Sequence, residues 1–232
     1  MLVDYSSEYK QRQIHQMLLE YGFTVLKNHP LDMLFIDNVY KQWEKFFSSQ
    51  NKNQYLYNQK TCDGYYPMLS ETAKGSSHAD FKEYFMYYPS GKCPNSLKQD
   101  TLDLYQQLTT IAKEILDILW SNTPEKLRLS LPKSFIDMVD TKDTTVLRIL
   151  HYPPIHNLPA GSVRAQAHKD INLITLIPRT TSQGLQLQQK DQWLDIPFNE
   201  NWITINIGDM LQEYTKGFYQ STNHRVLNPP IS

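Results

Sequence analysis

Cysteine is nearly absent: Cys62 and Cys93 are the only two in 232 residues. Two are too few for a disulfide framework and lack metal-ligand spacing, so zinc ribbons and Cys-x-x-Cys redox folds are excluded. An excess of charge is missing too. Lys and Arg number 23 and Asp and Glu 24, a formal net charge of -1, with no basic run of the kind that binds nucleic acid or an anionic membrane. No segment approaches the roughly 20 apolar residues that cross a bilayer. The longest compact apolar cluster, Leu173 to Ile177 interrupted by Thr175, has strand length. The opening residues lack the basic-then-apolar pattern of a secretory signal, and there is no internal repeat or low-complexity segment. The expectation is a soluble, cytoplasmic protein with no nucleic-acid partner and no membrane span.

What is present is the composition of a folded chain: 40% apolar, 20% charged and 12% aromatic, with 15 Tyr. The length suits one domain, or one domain with an appendage. The first 120 residues read as mixed helix and strand. Ile14, Met17, Leu18 and Tyr21 sit at helical spacing, and Gly22 breaks the run before a short strand, Phe23 to Leu26. Ile36, Val39, Tyr40, Trp43, Phe46 and Phe47 step by three and four residues, giving one apolar stripe. Leu104, Tyr105, Leu108, Ile111, Ala112, Ile115 and Leu119 form another. These aromatic and aliphatic positions predict core packing. From about residue 144 the character changes to short segments punctuated by Pro, Gly and Asn: 144–152, 173–177, 184–189, 193–196, 202–207 and 219–227. Serial short strands of this kind predict a sandwich or small barrel.

Two His-x-Asp pairs stand out, His78-Ala79-Asp80 and His168-Lys169-Asp170. The spacing alone is a weak signal. On a strand or its extended end, however, residues i and i+2 point the same way, so an imidazole and a carboxylate can converge on one ion. The second pair opens the strand-rich half, and His224 lies in a later segment expected to be a strand. Two imidazoles and one carboxylate make a facial triad with open positions, suited to non-haem Fe(II) and oxygen chemistry. His78-Ala79-Asp80 lies in a Gly/Ser/His loop and reads as a solvated turn. A rival triad of His78, Asp80 and His151 remains, less well placed.

At this point a family becomes visible. The second half resembles the isopenicillin N synthase-like group of Fe(II)- and 2-oxoglutarate-dependent oxygenases. The stretches that carry the resemblance are residues 147–154, 168–176, 184–188, 206–211 and 221–226. In the first half, Gly22-Phe23 through Asn28-His29-Pro30 is similar, more loosely, to the family's opening strand. Glu71 to Gly75 and Asp80 to Glu83 are similar to its following segment. The resemblance covers nearly the whole chain in the right order.

The resemblance implies a mainly β fold with flanking helices (α+β) around a double-stranded β-helix, or jelly-roll, core. Residues 121–232 would form that core, residues 1–120 a helical and mixed segment packing on it, and the whole a single structural unit. His168, Asp170 and His224 match the iron ligands. Tyr152 matches a tyrosine near 2-oxoglutarate, and Leu150 stands where plant members often carry Asn. His151 then faces the other way, and His29 is a packing residue. Arg148, Arg164 and Asn172 are candidate substrate contacts, although an ion pair or a rim position explains either arginine as well. Asp209 reads as a turn residue. The cofactors implied are Fe(II), 2-oxoglutarate as cosubstrate and O2. The reaction implied is hydroxylation of an unactivated C–H bond of a small metabolite, with release of succinate and carbon dioxide. An arginine facing the iron would favour an anionic substrate. The family's Arg-x-Ser anchor for 2-oxoglutarate falls about ten residues after the last ligand, whereas the sequence stops at Ser232, so truncation at the C-terminal end is the expectation. Lysine would not reproduce that bidentate fork. Alternatives are an oxidase of the isopenicillin N synthase type that needs no 2-oxoglutarate, a non-catalytic metal-binding sensor and, last, a zinc hydrolase.

Overall fold

The computed structural model describes residues 1–72, 79–139, 144–154 and 163–228. In chain order its elements begin with β1 (Leu2–Asp4), α1 (Lys10–Tyr21), β2 (Phe23–Lys27), α2 (Met33–Ser48), β3 (Gly64–Tyr66), β4 (Glu83–Tyr87) and α3 (Lys98–Asn122). There follow α4 (Glu125–Arg128), β5 (Leu147–His151), β6 (Ala165–His168), β7 (Ile174–Ile177), β8 (Leu185–Gln189), β9 (Gln192–Asp195), β10 (Ile203–Ile207), α5 (Asp209–Tyr214) and β11 (His224–Val226). Among the described residues helices hold more residues than strands, because α2 and α3 run to 16 and 25 residues while no strand there exceeds five. The fold is therefore mixed α+β rather than mainly β. Three separate sheets are formed, and none closes into a barrel among the described residues. No helix among the described residues is long and apolar enough to cross a membrane.

The chain divides into two units. The first comprises Met1–Leu31, Leu108–Val139 and Ala167–Arg225. Its first sheet has the order β1-β2-β10-β7, with β1 parallel to β2 and the other pairs antiparallel. Both faces carry buried apolar residues. Ile203, Ile205 and Ile207 alternate along β10 and are fully buried. The opposite face carries Phe23 and Val25, which share a core cluster with Leu187 and Ile196. Leu187 lies on β8 of the second sheet, ordered β6-β11-β8-β9. Helix α1 packs against β2. Gly22 ends it in the left-handed region (φ 68°), its N–H donating to the Leu18 carbonyl. A Cβ at Gly22 would overlap the Thr222 hydroxyl and the Gln220 carbonyl.

The second unit comprises Asp32–Gln107, Asp140–Gln166 and Val226–Ser232. Its antiparallel sheet is ordered β3-β4-β5. Asp32 caps α2 by accepting from the Leu34 and Phe35 N–H groups. The stripe read from the sequence is buried as expected except at Tyr40, which is half-buried. Trp43, Phe46 and Phe47 meet Phe85 and Tyr65 at ring separations from 4.9 to 6.3 Å. The segment 219–227 is a strand only over its second half, since β11 spans His224–Val226. Asp209 is the first residue of α5 rather than a turn residue.

Candidate metal centre

His168 is the last residue of β6 and His224 the first of β11, and these strands are neighbours in the second sheet. The pairing brings the two imidazoles to a centroid separation of 4.4 Å. Asp170 follows two residues after His168. Its Oδ1 lies 3.6 Å from His168 Nε2 and 3.6 Å from His224 Nε2. One ligand atom from each of the three lies within 4.8 Å of the others, and this is the only such His/Cys/Asp/Glu cluster among the described residues. Donors of these kinds bind a transition metal at about 2.0–2.2 Å, so one ion fits between them.

The loop bearing Asp170 is held from behind. The Asp209 N–H donates to the Asp170 carbonyl at 2.7 Å, the Gly208 N–H to the Leu173 carbonyl at 3.0 Å, and the Met210 N–H to the Asn172 carbonyl at 3.0 Å. Gly208 is needed for this approach, because a Cβ there would overlap the side-chain and backbone oxygens of Asn172. The Asp170 carboxylate is fixed as well. Its Oδ2 accepts from Thr175 Oγ1 at 2.5 Å and from Asn206 Nδ2 at 2.9 Å.

Burial opposes ionisation of Asp170, yet the neighbouring His168, His224, Asn206 and Thr175 outweigh it and hold the carboxyl well below its ordinary range. His224 is buried and edge-on to Phe23 at 5.4 Å. That burial lowers its pKa against the pull of Asp170. Its Nδ1 lies 3.1 Å from the Thr222 carbonyl. A carbonyl only accepts, so Nδ1 carries a proton and Nε2 is the ring nitrogen turned toward Asp170.

The other residues singled out in the sequence lie as follows. Asn172, expected to face substrate, directs its Nδ2 to Thr175 Oγ1 at 2.8 Å. Arg148 is ion-paired to Glu71 at 2.5 Å and stacks over the Tyr84 ring at 4.0 Å. The Arg164 guanidinium lies 5.5 Å from the Tyr152 ring centroid. Burial pushes the Tyr152 phenol up to about 12. Of the rival triad, Asp80 pairs with Lys82 at 2.7 Å and His151 with Glu83 at 2.8 Å, while His78 lies outside the described residues. His29 Nε2 meets the Asn201 carbonyl at 2.9 Å. Thr175 and Asn206 were not singled out for function. The available signal was an amide among the isoleucines of β10, since a polar group on a buried strand needs a partner.

Comparison with known proteins places this arrangement. Residues 144–232 match the 2OG-Fe(II) oxygenase superfamily, and residues 4–108 match the family described as non-haem dioxygenase in morphine synthesis N-terminal. The crystal structure of a Shewanella oneidensis protein assigned as an oxygenase is 41% identical, with a TM-score of 0.89 over 99% of this chain and 84% of that one. A Caulobacter crescentus protein assigned to the 2OG-Fe(II) oxygenase family is 33% identical, with a TM-score of 0.81 over 99% and 81% of the two chains. The 2-oxoglutarate-dependent dioxygenase citB of Monascus ruber is 26% identical over 91% of this chain and 71% of its own length.

Proposed function

This chain belongs to the 2OG-Fe(II) oxygenase superfamily, and from that premise we propose that His168, Asp170 and His224 are its three iron ligands. The observation that carries the assignment is the convergence of three donor side chains on one point. Asp170 Oδ1 lies 3.6 Å from Nε2 of both His168 and His224. A cation placed between them would engage all three. The donor set, two imidazoles and a carboxylate, suits Fe(II) with three positions left open.

With Fe(II), 2-oxoglutarate and O2 bound, the centre supplies the oxidising power to hydroxylate a C–H bond of a small metabolite, releasing succinate and carbon dioxide. The chain's own part is to hold the ligand face and to orient what binds. We assign Tyr152 to the cosubstrate. Arg164, whose guanidinium lies over the Tyr152 ring, is a candidate for an anionic substrate group. Arg148 is already paired with Glu71 and would contribute by fixing its strand. Residues 121–232 are read as the jelly-roll core and residues 1–120 as its N-terminal segment. The core cluster shared between β2 and β8 supports the two-layered part of that reading. We place the protein in the cytoplasm.

Anaerobic titration with Fe(II), with and without 2-oxoglutarate, followed by visible absorption, tests the centre. A weak charge-transfer band is expected only with both present. His168→Ala and His224→Ala should abolish it and His78→Ala should leave it. Absence of iron binding by the wild-type chain would overturn the assignment.

A further inference from the structure

The two oxygens of Asp170 have different surroundings. Oδ1 faces both imidazoles. Oδ2 accepts two hydrogen bonds, from the Thr175 hydroxyl and the Asn206 amide. The donors come from different strands, yet they are direct register partners, Asn206 on β10 opposite Thr175 on β7. Directly opposite residues of an antiparallel pair project from the same face, so the register itself aims both donors at one oxygen. A third residue sets the direction of the chain. Asn172 Nδ2 donates to Thr175 Oγ1 at 2.8 Å, which leaves the single Thr175 proton for Asp170.

We propose that Thr175 and Asn206, with Asn172 behind Thr175, are positioning residues that hold Asp170 to one metal-facing oxygen. The proposal rests on the metal-centre reading above. A carboxylate can grip a metal through one oxygen or both, and swinging Oδ2 inward would break two hydrogen bonds. The backbone bonds from Asp209 and Met210 to the carbonyls of Asp170 and Asn172 keep the loop from moving as a body to relieve them. The consequence is an occupancy rule. Through one oxygen the protein fills one face of an octahedral ion and leaves three positions. Through two it would leave too few for a chelating 2-oxo acid and a further small ligand together.

The test uses the whole chain, freed of metal, with Co(II) as an optical probe in anaerobic titrations, for wild type, Thr175→Val and Thr175→Ser. Valine keeps the shape and removes the donor; serine keeps the donor. Thr175→Val should bind Co(II) about 10- to 100-fold more weakly, as is usual when a ligand's outer partner is lost. At saturating Co(II) its visible spectrum should change, as expected when a second carboxylate oxygen replaces a water ligand, and half-saturation by 2-oxoglutarate should require more of the acid. Thr175→Ser should restore all three readouts. Should Thr175→Val fail to fold, Asn172→Ala must shift the same readouts in the same direction. Wild-type affinity and spectrum in the valine variant, or a serine variant as impaired as valine, would overturn the positioning role while leaving the metal centre standing. A wild-type chain that binds no Co(II) would bring down both.

Discussion

Glu83 offers a quantitative check on the three-stranded sheet. It opens β4 opposite His151 of β5 and its side chain is 4% exposed. Oε1 accepts from His151 Nδ1 at 2.8 Å, and Oε2 from Lys52 Nζ at 2.8 Å and the Tyr65 hydroxyl at 2.5 Å. His151 is stacked on Phe47 at 5.1 Å, which steadies that donor. Burial alone would raise the Glu83 pKa, but the His151, Lys52 and Tyr65 donors prevail and bring it from an ordinary 4.5 to about 2. At about 1.36 kcal/mol per pH decade, that drop corresponds to about 3 kcal/mol. A lowered carboxyl pKa stabilises the fold fully above the unfolded-state value and loses that contribution as pH falls toward the folded-state value. The window thus runs from about pH 4.5 down to about pH 2, and by pH 3 about 2 kcal/mol should be gone. Glu83→Gln keeps the shape and removes the titration. Urea unfolding of both proteins at pH 7, 4.5 and 3 should show wild type ahead at neutral pH, the gap narrowed by about 0.4 kcal/mol at 4.5 and by about 2 kcal/mol at 3. A gap that stays constant down to pH 3 would refute the argument.

Two further substitutions probe the framework. Gly208→Ala forces a Cβ onto Asn172, and overpacking of this kind costs about 1–3 kcal/mol. Calorimetry should register the loss, accompanied by weaker Fe(II) binding because the displaced loop carries Asp170; an unchanged melting temperature would show that the loop yields freely. Phe85→Ala removes a fully buried ring that meets Trp43 at 4.9 Å and Phe46 at 5.6 Å. Urea unfolding should detect about 3–5 kcal/mol, and a loss below about 1 kcal/mol would mean that the aromatic cluster collapses to fill the space.

The long helices were legible because their signal is local. The apolar steps from Ile36 to Phe47 and from Leu104 to Leu119 fall within α2 and α3, and the alternating isoleucines marked β10. Short elements were less legible. Helix α5 has six residues, too few for a periodic pattern to separate it from the turn read at Asp209. The balance of helix over strand was missed because the mainly β expectation weighted the strand-rich second half. At the site, the His168-to-Asp170 spacing pointed to two of the residues that the structure brings together, since i and i+2 share a face. Thr175 and Asn206 were not visible as a pair. They are 31 positions apart, and only the β7–β10 register sets them opposite each other.

Two carboxylates in this chain sit in the same His-x-Asp pattern, and their surroundings explain why Asp170 rather than Asp80 is suited to a metal. Asp80 is buried, but its Oδ2 is paired with Lys82 Nζ at 2.7 Å and its Oδ1 accepts the Gln166 N–H at 3.0 Å. A buried charge so neutralised is complete, and a cation brought to it would have to displace the lysine. Asp170 faces neutral donors and imidazoles instead. Thr175 and Asn206 satisfy one oxygen without cancelling the charge. Protonation of His224 is opposed by its burial, so that imidazole is a poor counter-ion for the carboxylate at neutral pH. Asp170 presents an oxygen to two imidazoles, an arrangement that a divalent cation would complete. Among the described residues, the same motif is a structural ion pair where a lysine reaches it and a candidate ligand set where hydroxyl, amide and imidazole do.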